Sequence, residues 1–271
     1  MALPEPAPDR TCVVTGASSG IGEEIARELA RRGHGVTLVA RREGPLQDLA
    51  VALREDHGVR VEVVPADLSA DAPGDRIALE VAERGLVVDV LVNNAGFSTM
   101  GAVHRSDPAR EVAMVRTDVE AVVHLTTTFL SGMVERGRGA VLNVASTAAF
   151  QPIPGQAAYG ASKAFVLSYS HAVRAELRGT GVSLTVLCPG PVETGFEDVM
   201  GISHEASTGA MPSFMWVPAE TVAKEAVDGL DAGRPVVIPG LANKATAAGG
   251  WLTPRRILMP ILARQHPSLR R

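Results

Sequence analysis

The sequence predicts an α/β fold: a single doubly wound parallel sheet with helices on both faces. Three observations carry this expectation. Seven short Val-rich runs, at 11–15, 35–40, 60–64, 88–92, 140–145, 182–187 and 235–238, show little polar alternation, as parallel strands buried on both faces do. Helical patterns at 21–32, 44–57, 72–84, 108–136, 156–179 and 218–231 separate them, and strand–helix alternation on this scale builds a parallel sheet. The chain has 271 residues, 46 % hydrophobic and 21 % charged, which suits one large core and argues against disorder.

One domain is the economical reading, since no repeat, low-complexity tract or linker interrupts the alternation. It runs over 1–240 and includes an irregular segment, 191–217, of the kind that carries function or mobility. Residues 241–271 form a basic, apolar extension in which Pro254, Pro260 and Pro267 break up helical fragments. The opening MALPEPAPDR lacks a signal-peptide apolar core, and no run is long enough to span a membrane. Cys12 and Cys188 sit in apolar runs and read as buried thiols, with neither a disulfide nor a metal site expected. A cytoplasmic location is the default.

The formal net charge is −4, yet no Asp or Glu follows Asp231 and residues 232–271 hold seven Arg or Lys. The rest of the chain therefore carries −11, and an acidic body disfavours nucleic acid.

The glycine pattern VVTGASSGIGEEIA follows the first strand. Gly16, Gly20 and Gly22 allow a tight turn and let a pyrophosphate approach the N-terminus of the next helix, where free N–H groups favour an anion. Ser18, Ser19 and Ile21 complete this dinucleotide loop. The second strand ends VTLVARREG. An NAD site commonly has an acidic residue here, whereas Ala40 fills that position and Arg41 and Arg42 follow. Guanidinium groups suit a 2′-phosphate, so NADP is favoured over NAD, with Arg41 as the main contact. A solvated charge pair with Glu43 is the alternative for Arg42.

Further pieces fall in order along the chain: PADL with Asp67 and Leu68, NNAG at 93–96, Ser146, Tyr159-x3-Lys163 and PGPVET at 189–194. Together with the glycine loop they resemble the short-chain dehydrogenase/reductase family. The resemblance implies a Rossmann-type oxidoreductase that uses a nicotinamide cofactor. It assigns Asp67 and Leu68 to the adenine and Asn93, Ala95 and Gly96 to a neighbouring ribose. Pro189, Gly190, Val192 and Thr194 should surround the nicotinamide, and Lys163 should bond the ribose hydroxyls.

Tyr159 and Lys163 stand four apart on a predicted helix and so share a face. A phenol titrates near pH ~10, but an adjacent ammonium stabilises the phenolate and makes a tunable proton donor and acceptor. Ser146 ends a strand and can hold the substrate oxygen, although serine also favours turn caps. One position departs from the family. Ungapped alignment of RTDVEAVVHLT places Asp118 where family members usually carry asparagine at a water-mediated proton relay. Close to Lys163, its carboxylate would stabilise the ammonium and offset that ammonium's pull on Tyr159, altering the pH optimum.

The resemblance also implies that segments 97–101, 147–155 and 191–217 line the substrate cleft. Phe196, Met200, Met211, Phe214, Met215 and Trp216 make it mostly apolar, with Ser98, Thr147 and Gln151 as polar contacts. The expected substrate is a small apolar ketone, aldehyde or secondary alcohol. The tail could meet a membrane surface or an acidic partner, but packing within the domain or an oligomer is preferred because prolines interrupt it. The family resemblance suggests homodimers or homotetramers. The rival readings are a catalytically silent cofactor-bound sensor, and epimerase or dehydratase chemistry on the same scaffold.

Overall fold

The computed structural model describes residues 3–192 and 212–265. Seven strands are assigned among these: β1 (Arg10–Thr15), β2 (Val36–Ala40), β3 (Val61–Pro65), β4 (Val87–Asn93), β5 (Gly139–Val144), β6 (Val182–Leu187) and β7 (Val236–Val237). All pair in parallel, in the order β3-β2-β1-β4-β5-β6-β7. The order reverses between β1 and β4. In a sheet wound this way the crevice at the C-terminal strand ends beside that reversal receives ligands.

Valine accounts for the strands. Its branched Cβ is stiff in a helix and packs well on a pleated surface. Val13, Val14, Val90 and Val92 are fully buried, and neighbouring positions point to opposite faces. Val14, Val90 and Val92 therefore join one core with Ile25, Leu29, Leu46, Leu53, Val222 and Leu230. Val13 and Leu91 join the other with Ile77, Leu125, Met133 and Val173. The first core lies under α1 (Gly20–Arg31), α2 (Glu43–His57) and α7 (Ala219–Asp231). The second lies under α3 (Pro73–Glu83), α5 (Ala121–Glu135) and α6 (Ala157–Glu176). An ion pair of 2.6 Å between Arg32 and Asp228 ties the end of α1 to α7.

The patterned stretch 108–136 is not one α-helix. α4 (Pro108–Val115) begins at Asp107, whose side chain accepts a bond from the Ala109 N–H at 3.0 Å. It then passes through a π-helical turn, Arg116–Glu120, before α5. The wider turn inserts an extra residue into the helical path, a feature common at functional sites. Hydrophobic periodicity persists on both sides, so the pattern alone read as continuous.

The tail also differs from expectation. α8 (Leu241–Leu252) ends before Pro254, but α9 (Arg255–Gln265) runs through Pro260. Proline there forgoes the bond to the Arg256 carbonyl, which weakens the helix without ending it. No helix among the described residues is long and apolar enough to cross a membrane.

Candidate active site

The glycine loop is built by close contact. A Cβ on Gly22 would collide with the Asn94 amide and the Gly16 carbonyl, and one on Gly16 would come within 2.8 Å of Asn94 Nδ2. Gly16 also takes φ of 68°, a left-handed conformation that costs glycine little. Asn94 Nδ2 donates to the Thr15 carbonyl at 2.9 Å and reaches the Gly16 carbonyl at 3.4 Å. The Thr15 hydroxyl donates to the Val92 carbonyl at 3.1 Å and accepts from the N–H groups of Asn94 and Ala95. The loop after β1 is thus locked to the loop after β4. Ser19 caps α1 without a side-chain bond, so the first-turn N–H groups stay available to an anion. Ser18 and Ile21 are half-buried, and Ser19 is exposed.

Arg41 and Arg42 are both exposed. Arg42 extends across the loop to Ser18 Oγ at 3.2 Å and Ser19 Oγ at 3.4 Å, rather than pairing with Glu43. Arg41 lies near enough to Asp67 to help hold its carboxyl below the ordinary range, behind the larger effect of bonds from Ser69. Both Ser69 bonds, from the backbone N–H and the hydroxyl, fall on Asp67 Oδ1. Leu68 is buried in the second core.

Asn93 turns inward. Its amide donates to Thr126 Oγ1 at 3.0 Å and Asn143 Oδ1 at 2.9 Å, and Asn143 donates onward to Ser170 Oγ at 3.0 Å. Asn93 and Asn143 are register partners. This interior network welds β4, β5, α5 and α6 and points the Asn93 amide nitrogen into the core, while its Oδ1 is buried without a partner among the described residues.

Tyr159 and Lys163 share one face of α6, with the amine 5.7 Å from the phenol ring centre. Asp118, delivered inward by the π-helical turn, is 0 % exposed. Its Oδ2 lies 3.0 Å from Lys163 Nζ, and its Oδ1 accepts the Phe97 N–H at 3.0 Å. Lys163 also reaches the Val144 carbonyl at 3.3 Å. Gly96 closes the other side: a Cβ there would stand 2.9 Å from Asp118 Oδ1 and 3.1 Å from Lys163 Nζ. Only glycine leaves room for the ion pair.

Ser146 stands at the head of β5. Its hydroxyl oxygen accepts the Ala148 N–H at 3.1 Å, capping the short helix Thr147–Phe150, and its proton reaches toward the Pro189 carbonyl at 3.4 Å. It is also within hydrogen-bonding contact of Tyr159. Capping and contact with the phenol therefore coexist.

Burial lifts Tyr159 above the ordinary phenol range. The Lys163 charge and the Ser146 contact pull it down, and the Asp118 charge adds to the lift. Burial opposes the Lys163 ammonium, but Asp118 and Tyr159 outweigh it, so the amine titrates above its usual value. Burial likewise lifts Asp118, against the pull of Lys163 and the Phe97 N–H. Cys188, near Lys163, is a free thiol pushed up to about 12 by burial.

Pro189 and Val192 are buried and Gly190 is half-buried. Thr194, Phe196, Met200 and Met211 lie outside the described residues. The Ser98 expectation is corrected: that hydroxyl is fully buried, donates to the Thr99 carbonyl at 3.1 Å and accepts from Gln156 at 2.8 Å, so it is not offered to a substrate. Phe214 is 74 % exposed, whereas Met215 and Trp216 are half-buried.

Two asparagines do more than the sequence reading gave them. Asn94 stood inside the NNAG motif, yet nothing local showed that it braces the glycine loop. Asn243, on α8, is fully buried and donates to the carbonyls of Met215 and Pro239, both at 3.0 Å. It also occupies the space a Cβ on Gly190 would need. No signal near residue 243 announces this.

A family model described as short chain dehydrogenase matches residues 10–201. The chain belongs to that family, and with it to the oxidoreductases. The NADP-dependent 3-hydroxy acid dehydrogenase YdfG of Salmonella typhi is 34 % identical over 210 residues, covering 74 % of this chain and 83 % of that protein. A short-chain dehydrogenase from Sphingobium yanoikuyae, solved with NADPH, shares 32 % identity at a TM-score of 0.78 over 93 % of this chain and 95 % of that one. The bulky-bulky ketone specific alcohol dehydrogenase from Comamonas testosteroni shares 28 % identity at a TM-score of 0.75, covering 96 % and 93 % of the two chains.

Proposed function

We propose that this protein transfers hydride between NADP(H) and an apolar ketone, aldehyde or secondary alcohol, with Tyr159 exchanging the proton. The observation that carries the proposal is the convergence of Ser146, Tyr159 and Lys163 at the strand ends, backed by Asp118. The chain fits the cofactor. Gly16 and Gly22 let the turn after β1 pack directly on Asn94, which keeps it tight, and the N-terminus of α1 has N–H groups without a side-chain cap. Arg41 and Arg42 offer guanidinium groups to a 2′-phosphate. Gly20, Ala95, Gly96, Pro189, Gly190 and Val192 belong to the same proposal, as do Asp67 and Leu68 at the adenine end. The NADPH complex and the NADP-dependent relative support the choice of dinucleotide.

The nicotinamide supplies or accepts the hydride. Ser146 holds the substrate oxygen, sharing in its developing charge. In reduction Tyr159 gives its proton to that oxygen; in oxidation it takes one from the alcohol. Lys163 faces the phenol with a positive charge and favours phenolate. Asp118 anchors the ammonium and at the same time weakens its effect on Tyr159. A phenol held above its ordinary pKa stays protonated at neutral pH, so the proton that carbonyl reduction consumes is in place, whereas alcohol oxidation calls for the phenolate.

The ketone-specific relative and the half-buried Met215 and Trp216 support an apolar substrate. Val112 and Val115 on α4 and Phe165 on α6 leave apolar side chains exposed, in keeping with assembly into homodimers or homotetramers. Buried free thiols at Cys12 and Cys188 suit a reducing cytoplasm. The test is purified protein with NADPH and a panel of apolar ketones. The expected result is ketone-dependent loss of NADPH absorbance. Tight NADPH binding with no turnover on any ketone would instead mark a cofactor sensor.

A further inference from the structure

The extension after β7 packs on two of the segments expected to line the substrate cleft. Asn243, Ala247 and Gly250 share the inner face of α8. Asn243 bonds Met215, and a Cβ on Gly250 would stand 2.7 Å from Gln151 Oε1. α8 therefore sits on segments 147–151 and 212–216, which flank Ser146 and the irregular segment expected to line the cleft.

Its outer side is unusual. Leu241 is 83 % exposed, Trp251 75 % and Leu252 73 %. Leu241 and Leu252 are eleven residues apart, close to three full turns, and so share a face. Phe214, in the segment α8 covers, is 74 % exposed. α9 continues the theme: Ile257 and Ile261, one turn apart, are 54 % and 47 % exposed. α9 has no extensive packing against the other described elements. A helix of 11 residues with an internal proline is marginal in water on its own.

Charge singles out what would cover it. Segments 147–151, 212–216 and 241–265 contain no Asp or Glu, but they carry Lys244, Arg255, Arg256 and Arg264. All four are exposed and none has an ion pair among the described residues. Apolar side chains beside uncompensated basic ones match the interface of an anionic bilayer. The rest of the chain is acidic and would be turned away from such a surface, which fixes one orientation.

We propose that Phe214, Leu241, Trp251, Leu252, Ile257 and Ile261, ringed by these four basic residues, dock the cleft mouth on an anionic lipid surface. The protein lies on the bilayer rather than spanning it. An apolar substrate dissolved in the membrane then enters the cleft without crossing bulk water. The substrate route rests on the proposed oxidoreductase reading, whereas the docking does not, because lipid binding is measured without substrate.

The experiment sediments the full-length protein with phosphatidylcholine vesicles, with and without phosphatidylglycerol. Binding is expected only with the anionic vesicles, weakening as salt rises, with Trp251 emission shifting to the blue. Replacing Arg255 and Arg256 together by Gln should lower vesicle affinity about 25-fold, at roughly five-fold per charge. Trp251→Ala should weaken binding and remove the blue shift. NADPH affinity, measured on each variant, checks that it is folded. Failure to sediment with anionic vesicles overturns the proposal, as does binding that neither variant alters. A dimer that Trp251→Ala disperses, with no vesicle binding, assigns the surface to a second copy instead.

Discussion

The two ends of the site are held in opposite ways. At the head of β1 the glycine loop is fixed by shape and neutral hydrogen bonds: Thr15, Asn94 and the missing Cβ atoms of Gly16 and Gly22 leave one arrangement. Across β4–β6 the proposed proton site is fixed by charge. Asp118 and Lys163 are 0 % and 5 % exposed, and the smallness of Gly96 makes space for them. The first design needs only a backbone that fits a phosphate. The second uses a buried ion pair whose desolvation is costly, and its return is control over a neighbouring phenol. Damage should therefore register as lost binding at one end and as altered proton chemistry at the other.

Tyr159→Phe should separate the ends most sharply. The ring still packs, but the proton is gone. Turnover is expected to fall about a thousand-fold while NADPH affinity, followed by fluorescence titration, stays within about two-fold of wild type. A parallel loss of affinity would mean that the ends are not independent.

Gly22→Ala attacks the other end. The new methyl meets Asn94 and the Gly16 carbonyl, both held by the β4 loop. Overpacking of this kind costs about 1–3 kcal/mol, readable by urea unfolding, and NADPH affinity should drop by at least about ten-fold for the same reason. Unchanged affinity would show that the loop relaxes without consequence.

Replacing Arg41 and Arg42 together by Ala is a finer cut. Charge-assisted bonds to a phosphate are worth about 1.5–3 kcal/mol, so NADPH should bind about 10- to 100-fold more weakly. NADH, lacking the 2′-phosphate, should be little affected. Equal losses for both dinucleotides would move the arginines from phosphate recognition to support of the loop through Ser18 and Ser19.

The comparison also separates what the sequence revealed from what it concealed. The glycine loop and all seven strands were legible, because a φ of 68° at Gly16 and valine buried on two faces leave local marks. The pairing of Tyr159 with Lys163 was legible because one helical period joins them. The π-helical turn at Arg116–Glu120 was not, because apolar spacing continues through it and the cause of the turn is tertiary. Asp118 stood out by its identity alone; its 3.0 Å contact with Lys163 depended on that turn. Asn94 and Asn243 were hidden for a related reason, as Asn94 reaches Gly16, 78 residues away, and Asn243 reaches Met215, 28 residues away. Ser98 looked available in the sequence because nothing nearby showed that Gln156 would bond it.

The central claim is that Asp118 restrains the acidity of Tyr159 through the charge it places beside Lys163. The pH dependence of kcat/KM for alcohol oxidation tests this most directly, in wild type and Asp118→Asn. Oxidation needs the phenolate, so the rate climbs as pH rises through the apparent pKa of the cluster formed by Tyr159, Lys163, Asp118 and the nearby Cys188 thiol. Removing the negative charge removes one cause of the raised Tyr159 value. The climb should then move to lower pH by about one unit, and the fall of the reductive rate should move the same way. Superimposable profiles, or a shift to higher pH, would contradict the account.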